Sequence, residues 1–255
     1  MDNARSGSGL EAEIVVPTTV GAILFDVNGT LRVREAHEPT QRAAFTRLQE
    51  LIGREDIDWD ELTRRQKAYS DWAQENLIQL SEQEIWTRWI LPDYPREQIE
   101  PVAAELTLKW SERKGRTVPK PGAEESFVEL WRRGYRLGII SNTMSTLDIP
   151  CCIESFGWEK YFEVVILSSS LKIRKPSPEP FREAARRLDL PPDRCAFIGN
   201  RISKDIVGCK QAGFALGLII EPSSWPRADE RDQTVVPDIV IHSLNELLDI
   251  FPARV

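Results

Sequence analysis

Polar residues at four separated places in the chain carry the groups needed to move a phosphoryl unit. Asp26 follows the apolar run Ala22–Phe25 and precedes Asn28, Gly29 and Thr30. Ser141 and Asn142 follow the apolar run LGII, and Lys175 opens KPSPEP, with Lys172 and Arg174 just before it. Asn200 follows AFIG, and Asp205 stands five residues on. Transfer to a carboxylate needs this set. An Asp attacks phosphorus, hydroxyl and backbone N–H groups hold the phosphoryl oxygens, a Lys offsets their charge, and a magnesium ion screens nucleophile from substrate.

These residues can converge only if the elements carrying them end on one side. The stretch ILFDVNGTLRV (23–33) is ambiguous alone, because Asn-Gly between two apolar runs is a strong hairpin signal. The rest of the chain favours a strand ending at Asp26. From about 117 onward helices and apolar strands alternate. Helices are predicted at 121–133, 178–188, 204–212 and 244–250. Strands are predicted at 136–142, 163–168, 195–200, 215–221 and 238–243. Strands this uniformly apolar, separated by helices, imply a doubly wound parallel sheet, α/β and Rossmann-like, covered on both faces. Right-handed crossovers place the strands' carboxyl ends on one edge, where ligands bind.

Between about 35 and 115 the pattern is helical throughout, with helices predicted at 39–51, 59–80, 81–90 and 95–113. Trp59, Trp72, Trp86, Trp89 and Trp110 fall there. They are expected to form a small helical core, with one or two lining a substrate cleft. The organisation read from the chain is a flexible tail at 1–18, an α/β core at 19–34 and 116–255, and an inserted helical cap at 35–115.

With 255 residues, 41% hydrophobic and 29% charged, the chain has the composition of a globular protein. A formal charge of −7 argues against a nucleic-acid or anionic-membrane surface, and no apolar run approaches a membrane span. Four cysteines lie outside any CxxC pair, which predicts buried thiols in a reduced, cytoplasmic protein. The two histidines, His37 and His242, are expected at the surface and argue against a His-based triad or zinc site. Oligomeric state is left open.

ILFDVNGTL, LGIISN, KPSPEPF and FIGNRISKD, in that order, resemble the four motifs of the haloacid dehalogenase superfamily. The helical insertion resembles that family's cap of the first type. PGAEESFVELWRRGYRLGIISN and VPDIVIHSLNELLDIF also resemble the family, so the likeness runs from about residue 20 to the end. It implies a hydrolase of small phosphorylated metabolites working through an aspartyl-phosphate. It further implies Asp26 as nucleophile, Ser141 with Asn142 as phosphoryl-oxygen donors and Lys175 as the motif-three lysine. Magnesium would be held by Asp26, the Asn28 carbonyl and the fourth motif, Asn200 and Asp205.

Two positions depart from the phosphatase pattern. The residue two after the nucleophile, an Asp acid/base in the family, is Asn28; the first acid of the fourth motif is Asn200. An amide neither gives nor takes a proton, and acid–base catalysis is worth about 10²–10⁴ in rate, so turnover is expected to be slow. Loss of a carboxylate at Asn200 predicts weak metal binding. Two other readings stay open: a metal-free dehalogenase-type hydrolase, and a non-catalytic relative binding a ligand or protein.

Overall fold

The computed structural model describes residues 19–221 and 234–254, so the predicted tail at 1–18 lies outside the described part. The strands are β1 (Ala22–Phe25), β2 (Arg32–Glu35), β3 (Arg116–Pro119), β4 (Arg136–Ser141), β5 (Phe162–Leu167), β6 (Cys195–Gly199), β7 (Leu216–Ile220) and β8 (Ile239–Ile241). Six form a parallel sheet in the order β5-β4-β1-β6-β7-β8. The order runs outward both ways from β1, making its carboxyl end the switch point where such sheets bind ligands. Alternation along β1 feeds two cores: Ile23 and Phe25 pack with Phe127, Leu137 and Trp158, while Ala22 and Leu24 pack with Phe181 and Phe197. Both faces are therefore covered, as the uniformly apolar strands predict.

The helical stretch forms its own core around Leu48, Tyr69, Trp86, Ile99, Leu106 and Trp110. Trp59, Trp72 and Trp89 pack against it half-buried. Local signals set its helix starts. His37 accepts from the Thr40 N–H ahead of Glu38–Ile52, and Ser81 and Glu84 form a reciprocal capping box at Glu82–Ile85. His37 is thus a half-buried cap rather than a plain surface residue, whereas His242 is exposed. The predicted 59–80 helix stops at Asn76. Leu77 turns left-handed, with φ 55°, and the chain then bridges antiparallel to Ile173. Gln79 N–H donates to the Lys172 carbonyl at 3.0 Å, and Arg174 N–H to that of Leu77 at 3.1 Å.

Further differences bear on the site. The Asn-Gly pair is no hairpin turn, since Asp26 N–H continues the parallel ladder to the Ile198 carbonyl at 2.9 Å. Beyond it, residues 32–35 are not loop. They pair antiparallel with β3, so the two chain crossings into the helical region form one ribbon. Four residues with three charges give too short an alternation to predict. A helix at Asp148–Ser155 is likewise hidden by Pro150 in its first turn. Cys151 is exposed, against the expectation that all thiols are buried; none of the four is disulfide-bonded. Among the described residues, no helix is long and apolar enough to cross a membrane.

Candidate active site

Three strand ends and one loop bring the sequence-selected residues together at the carboxyl edge. Asp26 leaves β1, Ser141 ends β4, Asn200 follows β6, and Lys175 enters from the loop after β5. Lys175 is the centre of the cluster. Its Nζ lies 2.9 Å from Asp26 Oδ1 and 2.6 Å from Asp205 Oδ1, and donates to the Ile140 carbonyl at 2.8 Å. Ser141 Oγ donates to Asp26 Oδ1 at 3.3 Å. Asp26 is 7% exposed, Lys175 and Asp205 2%.

Burying two carboxylates and one ammonium together sets their proton affinities. Desolvation pushes the Asp26 carboxyl above its ordinary range; Lys175 pulls it down, Asp205 pushes it up, and the net direction is upward. Desolvation alone would lower Lys175, but Asp205 and Asp26 outweigh it and hold the ammonium above the usual lysine range. Lys175 therefore stays protonated, and the cluster keeps one net negative charge when both acids are ionised.

Asn142 does something other than expected. Its Oδ1 accepts from Lys175 N–H and its Nδ2 donates to the Lys175 carbonyl, both at 2.9 Å. The side chain predicted to hold phosphate instead clamps the lysine's main chain. Arg174, next to Lys175, is 8% exposed and bonds Gln79 from the helical region, whereas Lys172 is exposed.

The groups that would ligate a metal already have partners. Asn200 Nδ2 donates to the Asn28 carbonyl at 3.2 Å. Asp205 Oδ2 accepts from the N–H groups of Asn200 and Arg201 at 3.0 Å each, while Oδ1 faces Lys175. An amide N–H₂ aimed at that carbonyl fills a cation's role there without a cation's charge. The acids of the site are Asp26 and Asp205, so the donor set fits a magnesium ion poorly.

Two glycines make this closeness possible. A Cβ at Gly199 would overlap the Asp205 carboxylate, and one at Gly29, where φ is +86°, would overlap Asn200 Nδ2. Gly29→Ala is expected to cost about 1–3 kcal/mol from backbone strain alone. Urea unfolding measures this, and an unchanged midpoint would show that the loop relaxes freely.

Residues that the motifs do not contain complete the site. Asn28 Oδ1 accepts from Arg32 Nε at 3.0 Å, which leaves its amide N–H₂ facing away from that arginine. Arg32, 1% exposed, is bound by Asp148, and Arg34 pairs with the same carboxylate at 2.8 Å. Alternation on β2 puts these two arginines on one face, a signal available in the sequence once β2 is recognised. Asp148 had no such signal. Above these groups lies a cavity of about 350 Å³. Asn28, Gly29 and Asn142 border it on the sheet side, and Thr107, Trp110 and Lys114 on the helical side.

Comparison with known proteins agrees with this architecture. Residues 20–213 match the family model of haloacid dehalogenase-like hydrolases. The chain is 27% identical over 233 residues to a glyceraldehyde 3-phosphate phosphatase of Methanopyrus kandleri, covering 91% of this chain and 97% of that one. It is 32% identical over 130 residues to a phosphoglycolate phosphatase of Nitrosococcus oceani, a match spanning 51% of this chain and 56% of that relative. The crystal structure of a 2-haloacid dehalogenase from Pseudomonas syringae superposes with a TM-score of 0.66 at 21% identity, covering 91% of this chain and 97% of that one.

Proposed function

The chain belongs to the haloacid dehalogenase-like hydrolases, and from its site we propose that it transfers the phosphoryl group of a small phosphorylated metabolite to Asp26 and then to water. One observation carries the reading: a buried carboxylate at the sheet's switch point, aligned by Ser141 and Lys175, with Asn28 and Gly29 of the same loop and Asn142 lining a cavity of metabolite size. The phosphatase names of its relatives support it.

Lys175 binds Asp26 through Oδ1, leaving Oδ2 as the attacking atom. Attack forms the Oδ2–P bond as the ester P–O bond breaks. The departing alkoxide takes its proton from water, because Asn28 has none to give. Water then attacks phosphorus as the Oδ2–P bond breaks, its proton passing to the hydroxide left by the first step, which releases phosphate and restores Asp26. Ser141 Oγ and the Asn28 amide N–H₂ are hydrogen-bond donors for phosphoryl oxygens, and Lys175 offsets their charge. Residues 35–115 act as the cap over a core of 19–34 and 116–255. Magnesium binding is expected to be weak, because the fourth motif offers Asn200 where a carboxylate would stand. Four unpaired thiols suit a reduced, cytoplasmic setting.

A screen of phosphorylated and halogenated small acids, with and without magnesium, tests this. Phosphate release is expected from the esters and should vanish in Asp26→Ala while circular dichroism stays native. Halide release without phosphate release would establish dehalogenation instead. Undiminished turnover in the variant would remove Asp26 from the mechanism.

A further inference from the structure

The charges around the cavity are unevenly divided. On the sheet side, Asp26, Asp205 and Lys175 do not line it; Asn28, Gly29 and Asn142 do. Toward the helical region the cavity is lined by Arg32, Arg34 and Lys114 against a single carboxylate, Asp148. Asp148 is already shared by both arginines, and Arg34 also bonds Ser111 Oγ and the Gly115 carbonyl. The arginines are thus fixed in place, with Asp148 the one carboxylate lining the cavity beside them.

Lys114 differs from them. It stands exposed at the cavity's mouth with no carboxylate partner among the described residues. Partial desolvation of its ammonium, with Arg113 and Arg34 close by, holds it below the usual lysine range. Lys114 and these arginines repel one another, and an arriving anion would relieve that repulsion. Trp110, 5% exposed, supplies an apolar wall beside them, and its indole N–H has no acceptor.

We infer that the cavity holds a second anionic group of the substrate, a carboxylate or a phosphate, with Lys114 as its direct partner and Arg34 as the fixed charge behind it. The substrate class is then a small phosphate ester carrying another anion on its leaving-group side. This rests on the phosphatase reading, but its electrostatic content can be tested separately. A neutral sugar or alcohol phosphate would leave the cation cluster uncompensated.

Three matched three-carbon esters separate the possibilities: 3-phosphoglycerate, glycerol 3-phosphate and 1,3-propanediol bisphosphate. The KM for an anion-bearing ester is expected to lie on the order of tenfold below that for glycerol 3-phosphate. The advantage should shrink as salt rises. Whichever of the two anionic esters shows the larger advantage identifies the group as carboxylate or phosphate. Lys114→Gln should bring the ratio of anionic to neutral KM toward one. Thermal-shift binding of the same esters is measured in parallel. Turnover of all three esters with one common KM overturns the second-anion site and leaves the hydrolase standing. Preferential binding of the anionic esters without any turnover upholds the site and overturns the hydrolase. Neither turnover nor a binding preference overturns both.

Discussion

Lys175→Met is expected to destabilise the protein by about 3–5 kcal/mol at neutral pH, the usual cost of removing one partner from a buried ion pair. Methionine keeps most of the lysine's length and apolar volume, so the loss is that of the ammonium's ion pairs and hydrogen bond rather than a cavity effect. Asp26 and Asp205 would face each other in a dry site with no cation between them. The sign of the pH dependence follows. Asp26 already titrates above its unfolded value, and losing the lysine raises it further. A raised carboxyl destabilises the fold increasingly as pH climbs from the unfolded pKa through the folded one. The gap between variant and parent should therefore narrow toward acid, where the protonated acids no longer repel. Urea unfolding of both proteins at pH 7 and pH 5 measures it; an equal loss at both would show that packing, not charge, holds Lys175. The same shift bears on catalysis. In the parent, the acid limb of the rate profile should lie above the ordinary carboxylate range, and any activity left in the variant should need still higher pH.

The sheet and its edge were legible because each central strand is apolar on both faces and ends in a polar residue. Phe25 to Asp26, Ile140 to Ser141 and Gly199 to Asn200 are changes that a parallel sheet places side by side. The partners within the site were not legible. Asn142 follows Ser141 in the chain and so reads as part of the phosphate loop, yet its amide matches the main chain of Lys175, 33 residues away. Arg174 reads as surface charge until Gln79 is brought over it by the bridge between Ile78 and Ile173. Asp148, 116 residues from Arg32, belongs to a short helix without a strong pattern of its own. Strand ends are a local property of sequence, whereas these pairings join segments far apart in the chain that only the folded tertiary structure brings together.

Asn28→Asp is expected to speed hydrolysis on the order of 10²-fold, but only for some esters. The position has a fixed neighbour: Arg32 Nε donates to the Asn28 side-chain oxygen, and Asp148 prevents that guanidinium from turning away. A carboxylate introduced at position 28 would accept the same hydrogen bond, now as an ion pair, and its pKa would be held low. It could take a proton from the water that opens the aspartyl-phosphate, but it would seldom carry one for a departing alkoxide. The gain should therefore be large for p-nitrophenyl phosphate, whose leaving group needs no proton. For an alkyl phosphate it should be small at neutral pH and grow as pH falls. Adding Asn200→Asp removes the amide donor from the Asn28 carbonyl and supplies a third acid, so magnesium affinity should rise. That change is coupled to the first and is not expected to be additive with it. Steady-state rates for the two esters across pH, with magnesium titrated by calorimetry, provide the measurement. Equal gains for both leaving groups would show that Arg32 does not govern the acid. If neither variant hydrolyses any phosphate ester faster than the parent, proton transfer at position 28 is not what limits this site, and the phosphatase mechanism built on Asp26 fails with it.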